Sequence, residues 1–188
     1  MKVLFLHIGD IHIKDRRTIN EFQIKKIADS LNSFQYDHII IVVSGDIAFS
    51  GNPDQYAVAK KLIGALIESI KASCGHTKYI NVVVVPGNHD VDQTDAQLSS
   101  TDLQCIRKNN AFAKCIDEQI KKQKGFIEFA NRYNCFVDDP VFHQRIIDIK
   151  GFKLEFNLIN TGVFSSLEED KGLHYFPEKC FNLRFSQK

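Results

Sequence analysis

The sequence has little of what marks membrane proteins, disulfide-rich proteins and zinc ribbons. No apolar stretch among its 188 residues approaches the length that spans a bilayer, and the apolar start is soon interrupted by His7 and Asp10. The five cysteines are scattered, odd in number and without a Cys-x-x-Cys pair. These absences argue against a disulfide framework and a membrane partner, and they predict a protein of a reducing compartment, the cytoplasm.

An excess of charge of either sign is also absent. The 24 basic and 23 acidic side chains give a formal net charge of +1, and no basic run exceeds pairs such as Arg16-Arg17. Overall charge therefore argues neither for nor against a nucleic-acid partner. An apolar fraction of 44% and a charged fraction of 25% are typical of a globular domain with a sizeable core.

Three short apolar runs predict buried strands, over residues 3–8, 39–43 and 80–85. Between them, apolar residues at helical spacing predict one helix over roughly residues 20–34 and a longer helix that stops at Gly75. This order of strands and helices predicts a parallel sheet with right-handed crossovers. The fold class is therefore α/β.

Each predicted strand is followed by polar residues. The first is followed by Gly9-Asp10-Ile11-His12, the second ends in Ser44-Gly45-Asp46, and the third leads into Gly87-Asn88-His89-Asp90. Because open α/β sheets bind ligands at the carboxyl ends of their strands, we expect five side chains to converge there: Asp10, His12, Asp46, Asn88 and His89. Asp10 and His12 are two residues apart, so a locally extended backbone would point both side chains the same way.

These residue types indicate metal-dependent phosphate chemistry. Carboxylate, imidazole and amide ligands suit Mn²⁺, Fe or Zn²⁺ better than Ca²⁺. Asp46, from the middle strand, is placed to bridge two ions that clamp a phosphate and activate a water. His89 would stabilise or protonate the leaving oxygen. Asp90 would either orient that imidazole or cap the helix that follows.

After Asp90 the pattern changes from alternating strands and helices. Helical stripes predict an insertion over about residues 95–135, which we interpret as packing, with a lid over the site as the alternative. Residues 142–149 and 152–159, joined at Lys150-Gly151, predict a β-hairpin. Residues 164–188 show no clear periodicity.

In their order and their position behind strands, the three polar clusters resemble the first three motifs of the calcineurin-like metallophosphoesterases. The resemblance implies a role for each matching residue: Asp10 and His12 bind the first ion, Asp46 bridges, Asn88 binds the second ion, and His89 is the catalytic histidine. It further implies two divalent ions as cofactors, with Mn²⁺ favoured and Fe or Zn²⁺ as alternatives.

The resemblance also implies the architecture, a metallophosphoesterase-type β-sandwich flanked by helices. It covers residues 1 to about 90, and the strand that ends at Asn160-Thr161 looks like a later strand of the family. The family completes its site with later histidines, usually including a Gly-His-x-His pair, which is absent here. His143 and His174 do not lie in such a pattern, so we expect both to be ordinary surface or core histidines. Residues 1–188 are therefore expected to be the N-terminal part of one domain, incomplete at its C-terminus, with a further segment in the parent chain.

The expected function is metal-dependent hydrolysis of a phosphodiester of nucleotide or nucleic-acid type. The loop after Asp46 lacks the Asp-Arg-Gly that resemblance to protein phosphatases would require, and it looks more like the cyclic-nucleotide and nuclease-type branches. The alternative is a phosphoesterase-like module that binds a nucleotide or a protein partner without turnover. Residues 1–188 alone are expected to be inactive.

Overall fold

The computed structural model describes residues 1–18, 20–74, 79–92 and 112–165. These residues form a mixed α/β fold, which confirms the fold class. Among them, no helix is both long and apolar enough to cross a bilayer.

The core of the fold is a parallel sheet of β1 (Val3–Ile8), β2 (His38–Ser44) and β3 (Tyr79–Val85), in that spatial order. Ile8 of β1 pairs with Val43 of β2, and the next residue of β2, Ser44, pairs with Val85 of β3. The three strands therefore end at nearly the same level. The central strand is the most buried, because both of its edges are paired and both of its faces are covered. The predicted parallel sheet is confirmed, and its carboxyl ends lie together.

Helices α1 (Glu21–Ser30) and α2 (Pro53–Cys74) connect these strands and pack against each other. The side chain of Asn20 caps α1 by accepting a hydrogen bond from the Gln23 amide at 3.2 Å. The predicted first helix is thus confirmed, although its last turn is a 3₁₀ helix over Leu31–Ser33. Helix α2 begins with proline, whose missing N–H is not needed in the first turn. Its predicted stop at Gly75 lies outside the described residues.

The predicted hairpin is confirmed by β4 (Phe142–Ile149) and β5 (Phe152–Ile159), which pair antiparallel. Both turn residues have positive φ, 51° at Lys150 and 87° at Gly151, as a two-residue hairpin turn requires. The hairpin packs on the parallel sheet, where the Arg145 side chain donates to the Val82 carbonyl.

Within residues 112–165, the described part of the chain after the third motif, lie the helices α3 (Phe112–Lys122) and α4 (Lys124–Asn131). Phe126 and Phe129 of α4 are buried, with their rings 6.3 and 5.6 Å from the ring of Tyr56 in α2. The described part of the predicted helical insertion therefore packs into the core, as expected. Residues 95–111 of that insertion lie outside the described residues.

Candidate metal centre at the carboxyl edge of the parallel sheet

The loops after β1 and β2 run side by side beyond the ends of these strands. The His12 amide donates to the Asp46 carbonyl at 2.9 Å, and the Ile13 amide donates to the Ile47 carbonyl at 2.9 Å. In the other direction, the Phe49 amide donates to the Ile13 carbonyl at 3.1 Å. These backbone bonds fix His12 beside Asp46 before any side chain contributes.

Three of the expected ligands have a left-handed backbone, with φ of 59° at Asp10, 50° at His12 and 51° at Asp46. This conformation costs about 1–3 kcal/mol at a residue other than glycine, and it concentrates at functional sites. The extended backbone expected at Asp10 and His12 is therefore wrong, because the chain turns at both positions. Their side chains still meet, with Oδ1 of Asp10 at 3.5 Å from Nε2 of His12.

A cluster of potential metal-binding atoms lies at this edge. One ligand atom from each of His12, Asp46 and His89 lies within 4.8 Å of the other two. Nε2 of His12 is 3.6 Å from Oδ2 of Asp46, and the centroids of the two imidazole rings are 4.4 Å apart. The structure thus brings together residues from all three motifs.

The hydrogen bonding of His12 fits a bound metal ion. Its Nε2 atom is buried and has no hydrogen-bond partner within the described part of the chain. The nearest carboxylate oxygens, from Asp10 and Asp46, lie at 3.5 and 3.6 Å, too far for a good hydrogen bond. A buried polar atom without a partner costs about 1–3 kcal/mol, and coordination would remove that cost. The imidazole and carboxylate donors match the preferences of Mn²⁺, Fe and Zn²⁺.

Asp10 and Asn88 lie at the margins of this cluster. The Asp10 side chain is 80% exposed, whereas that of Asp46 is 22% exposed. Asn88 begins the 3₁₀ turn Asn88–Asp90 and is half-buried. Asp10 therefore lies at the solvent side of the site and Asn88 in the same turn as His89.

Gly87 allows the third motif to approach the second. A Cβ atom at this position would overlap the carboxylate and the backbone nitrogen of Asp46. The close approach lets the His89 amide donate to Oδ1 of Asp46 at 3.0 Å. Glycine is needed here for space, since its φ of −108° is open to any residue.

The imidazole of His89 is oriented by a backbone carbonyl. Its Nδ1 lies 2.8 Å from the carbonyl oxygen of Phe49. Because a carbonyl can only accept, Nδ1 carries the proton and Nε2 is the nitrogen left for the site. This role of Phe49 has no signal at the level of sequence, because every residue has a carbonyl.

Asp90 is fully buried behind the site. Its Oδ2 accepts from the amides of Gly87 and Ile47 at 2.9 and 3.2 Å. Its Oδ1 accepts from the Ala48 amide and the Tyr56 hydroxyl, both at 2.9 Å. Burial raises the pKa of Asp90, and these four hydrogen bonds oppose the shift.

The expected catalytic role of Asp90 as the residue that orients His89 therefore needs correction. Both carboxylate oxygens are engaged by other donors, and the imidazole is held by Phe49 instead. The alternative, a cap of the helix that follows, concerns residues outside the described part of the chain. In the described part, Asp90 closes the start of its own 3₁₀ turn by accepting from the Gly87 amide. It also joins the second motif to the third. Tyr56, which completes these contacts, was missed because a tyrosine in the first turn of a helix has no distinctive sequence signal.

The end of β5 supports the third motif from another side. A Cβ atom at Gly162 would overlap the Gly87 carbonyl, so the two glycines pack closely. Asn160 and Gln123 form a buried pair, in which Nδ2 of Asn160 donates to Oε1 of Gln123 at 2.6 Å. The strand ending at Asn160-Thr161 thus lies next to the site.

Two other histidines were considered from the sequence. His143 lies in β4, where its Nε2 is 3.1 Å from the carbonyl oxygen of Asn134, as expected for an ordinary histidine. His174 lies outside the described residues.

Comparisons with known proteins place the chain in a family. The family model for calcineurin-like phosphoesterases matches residues 3–178. The glycerophosphodiester phosphodiesterase GpdQ of Enterobacter lignolyticus (strain SCF1) is 30% identical to the chain over 95 residues. That match covers 47% of this chain and 30% of the relative, so only about a third of the relative's length is represented. The family match extends over most of the sequence and includes all three motifs, and the chain belongs to the calcineurin-like phosphoesterase family.

Proposed function

We propose that this chain provides the metal centre of a phosphodiesterase that uses two divalent ions. The observation that carries the proposal is the cluster of His12, Asp46 and His89, in which Nε2 of His12 is buried without a partner. Three strands deliver these residues to the edge where α/β sheets bind ligands. Membership of a hydrolase family supports phosphoester chemistry there.

The proposed ligand roles follow the three motifs. Asp10 and His12 hold the first ion, Asn88 contributes to the second, and Asp46 bridges. The position of Asp46 supports the bridge, because Oδ2 faces His12 while Oδ1 faces the turn that carries Asn88. We propose Mn²⁺ as the metal, with Fe or Zn²⁺ as the alternatives, from the nitrogen and oxygen donors.

When bound, such ions neutralise phosphate charge and lower the pKa of the attacking water. The protein itself supplies orientation and a proton. With Nδ1 held by the Phe49 carbonyl, Nε2 is the ring nitrogen of His89 that remains for the substrate. In the protonated ring this nitrogen can donate to the leaving oxygen, which is the role that we propose for His89.

The substrate is proposed to be a phosphodiester. The relative GpdQ is named as a glycerophosphodiester phosphodiesterase, which favours a diester over a monoester here. A nucleotide or nucleic-acid diester remains our proposal, as does a reducing, cytoplasmic location. The described residues supply four ligands for two ions, so we expect residues 1–188 alone to bind metal without appreciable turnover of bis-(p-nitrophenyl) phosphate. Robust metal-dependent turnover by residues 1–188 would contradict this ligand count.

The substitution His89→Asn tests the function in the complete domain. Because the proposed role lies in the transition state, kcat for bis-(p-nitrophenyl) phosphate should fall about 10²-fold or more. Metal content, measured by atomic absorption, should remain near that of the wild type. Loss of metal in proportion to the loss of rate would instead make His89 a ligand, which its place in the cluster also permits.

The second candidate function is binding of a nucleotide or a protein partner without turnover. The exposure of Asp10 favours this candidate, because its carboxylate lies mostly in solvent and is not enclosed with the other proposed ligands. A metal-loaded complete domain that binds inorganic phosphate but hydrolyses no diester would support this candidate and contradict the enzyme.

A further inference from the structure

Phe49 is a large apolar residue that is exposed beside the candidate metal centre. Its side chain is 41% exposed, whereas the preceding Ile47 and Ala48 are fully buried. Its ring centroid lies 5.8 Å from that of His89 and 6.2 Å from that of His12. Packing of the core does not account for a phenyl ring held in this position.

A lysine lies over this ring. Nζ of Lys14 is 4.2 Å from the centroid of Phe49, within the range of a cation–π contact. The backbone holds the pair together, because Ile13 pairs with Ala48 and the Phe49 amide donates to the Ile13 carbonyl. Because the Phe49 ring lies next to the rings of His12 and His89, the charge of Lys14 lies at the rim of the site.

Two basic side chains of this segment, Arg17 and Lys14, have different contacts. The side chain of Arg17 is bound to Asp15, with Nη2 and Oδ2 at 2.6 Å. Lys14 instead places its ammonium over the face of Phe49, the aromatic residue beside the site.

We propose that Lys14 binds the phosphate group of the substrate at the rim of the site, held in position by the face of Phe49. The proposal rests on the proposed phosphodiesterase function, and it adds a substrate-binding residue from outside the three motifs. Lysine suits this role because its ammonium is a compact charge with three donors on a flexible stem. Phe49 is a positioning residue that limits the motion of that stem.

The test measures binding of inorganic phosphate to the Mn²⁺-loaded complete domain by titration calorimetry. Lys14→Met should weaken phosphate binding about tenfold or more, the usual effect of losing a hydrogen bond to a charged group. KM for bis-(p-nitrophenyl) phosphate should rise by a similar factor while kcat changes less. Lys14→Arg should restore most of the affinity. Lys25→Met, at an exposed position of α1, removes the same charge elsewhere and should leave both constants near wild type.

The substitution Phe49→Leu tests the positioning role. It removes the aromatic face but keeps an apolar side chain, and the Phe49 carbonyl that holds His89 is retained. We expect a smaller loss of phosphate affinity than for Lys14→Met. In the double variant the loss should equal that of Lys14→Met alone, because the ring acts through the lysine. Additive losses would contradict that dependence.

The outcomes separate this inference from the proposed function. If the wild type binds phosphate and Lys14→Met binds it equally well, the role of Lys14 is refuted and the proposed function stands. If the metal-loaded wild type neither binds phosphate nor hydrolyses the diester, the proposed function fails, and the inference fails with it.

Discussion

The turn of the hairpin and the carboxyl edge of the parallel sheet both contain residues with positive φ, but for different reasons. At Lys150 and Gly151 the conformation is local, since a two-residue turn between antiparallel strands requires it. At His12 and Asp46 the conformation is held by hydrogen bonds between distant parts of the chain. Strain at the site is therefore maintained by the surrounding fold.

The largest difference between the two regions should appear when an aspartate that binds backbone amides is removed from each. Asp90→Ala leaves four buried donors without an acceptor, so we expect it to lower the free energy of unfolding by about 3–5 kcal/mol. Asp148→Ala removes an exposed acceptor of the Gly151 amide in the hairpin turn and should cost no more than about 1 kcal/mol. Urea denaturation monitored by circular dichroism measures both. Equal costs would show that the carboxyl edge does not depend on Asp90.

Substituting alanine for one glycine in each region should separate the effect of steric crowding, at Gly87, from that of a positive φ, at Gly151. Gly87→Ala places a methyl group against Asp46, and we expect a cost of about 1–3 kcal/mol, as for other overpacked sites, together with weaker metal binding. At Gly151 a Cβ atom meets nothing within 4 Å, so only the φ of 87° opposes alanine. Gly151→Ala should cost about 1–2 kcal/mol and leave metal binding unchanged. Chemical denaturation and metal titration on both variants test this, and unchanged metal affinity in Gly87→Ala would contradict the close approach.

A milder change at the carboxyl edge is Tyr56→Phe, which removes one of the four donors to Asp90. The ring would keep its packing against Phe126 and Phe129. The expected loss of stability is about 1–2 kcal/mol, because one hydrogen bond to a charged acceptor is removed without leaving a cavity. Tyr133→Phe is a control, since that tyrosine also packs against Phe129. A loss in Tyr56→Phe no larger than that of the control would mean that the hydroxyl contributes little.

The smallest expected effect lies at the other end of β2 and depends on pH. Burial lowers the pKa of His38 below its usual 6.5, so the unfolded chain takes up a proton before the folded chain does. Stability from this residue is present above pH 6.5 and falls as the pH drops towards the lowered pKa, by at most about 1.4 kcal/mol per pH unit. Unfolding at pH 7.5 and 5.5 should show a steeper loss in the wild type than in His38→Gln. An equal loss of unfolding free energy in the two proteins would show that His38 does not cause this pH dependence.

The elements of the fold could be predicted because their signals are local. The β-branched runs of β2 and β3 and the two-residue turn at Lys150-Gly151 carry their own conformational preferences. The convergence of His12, Asp46 and His89 could be predicted because parallel strands place their carboxyl ends together.

The details of the site could not be predicted because they depend on partners far along the chain. The left-handed backbone of His12 depends on its pairing with Asp46, and the position of Asp90 depends on Ala48 and Tyr56. The orientation of His89 depends on a carbonyl, which leaves no trace in the sequence of side chains.

The central claim is that a metal centre bridged by Asp46 forms where the three motifs meet, and titration of residues 1–188 with Mn²⁺ tests it most directly. Asp46 faces both His12 and His89, so Asp46→Asn should abolish or strongly weaken the binding of metal. Asp117→Asn, which removes the same charge from an exposed position of α3, should bind like the wild type. An Asp46→Asn variant with the stoichiometry and affinity of the wild type would contradict the account.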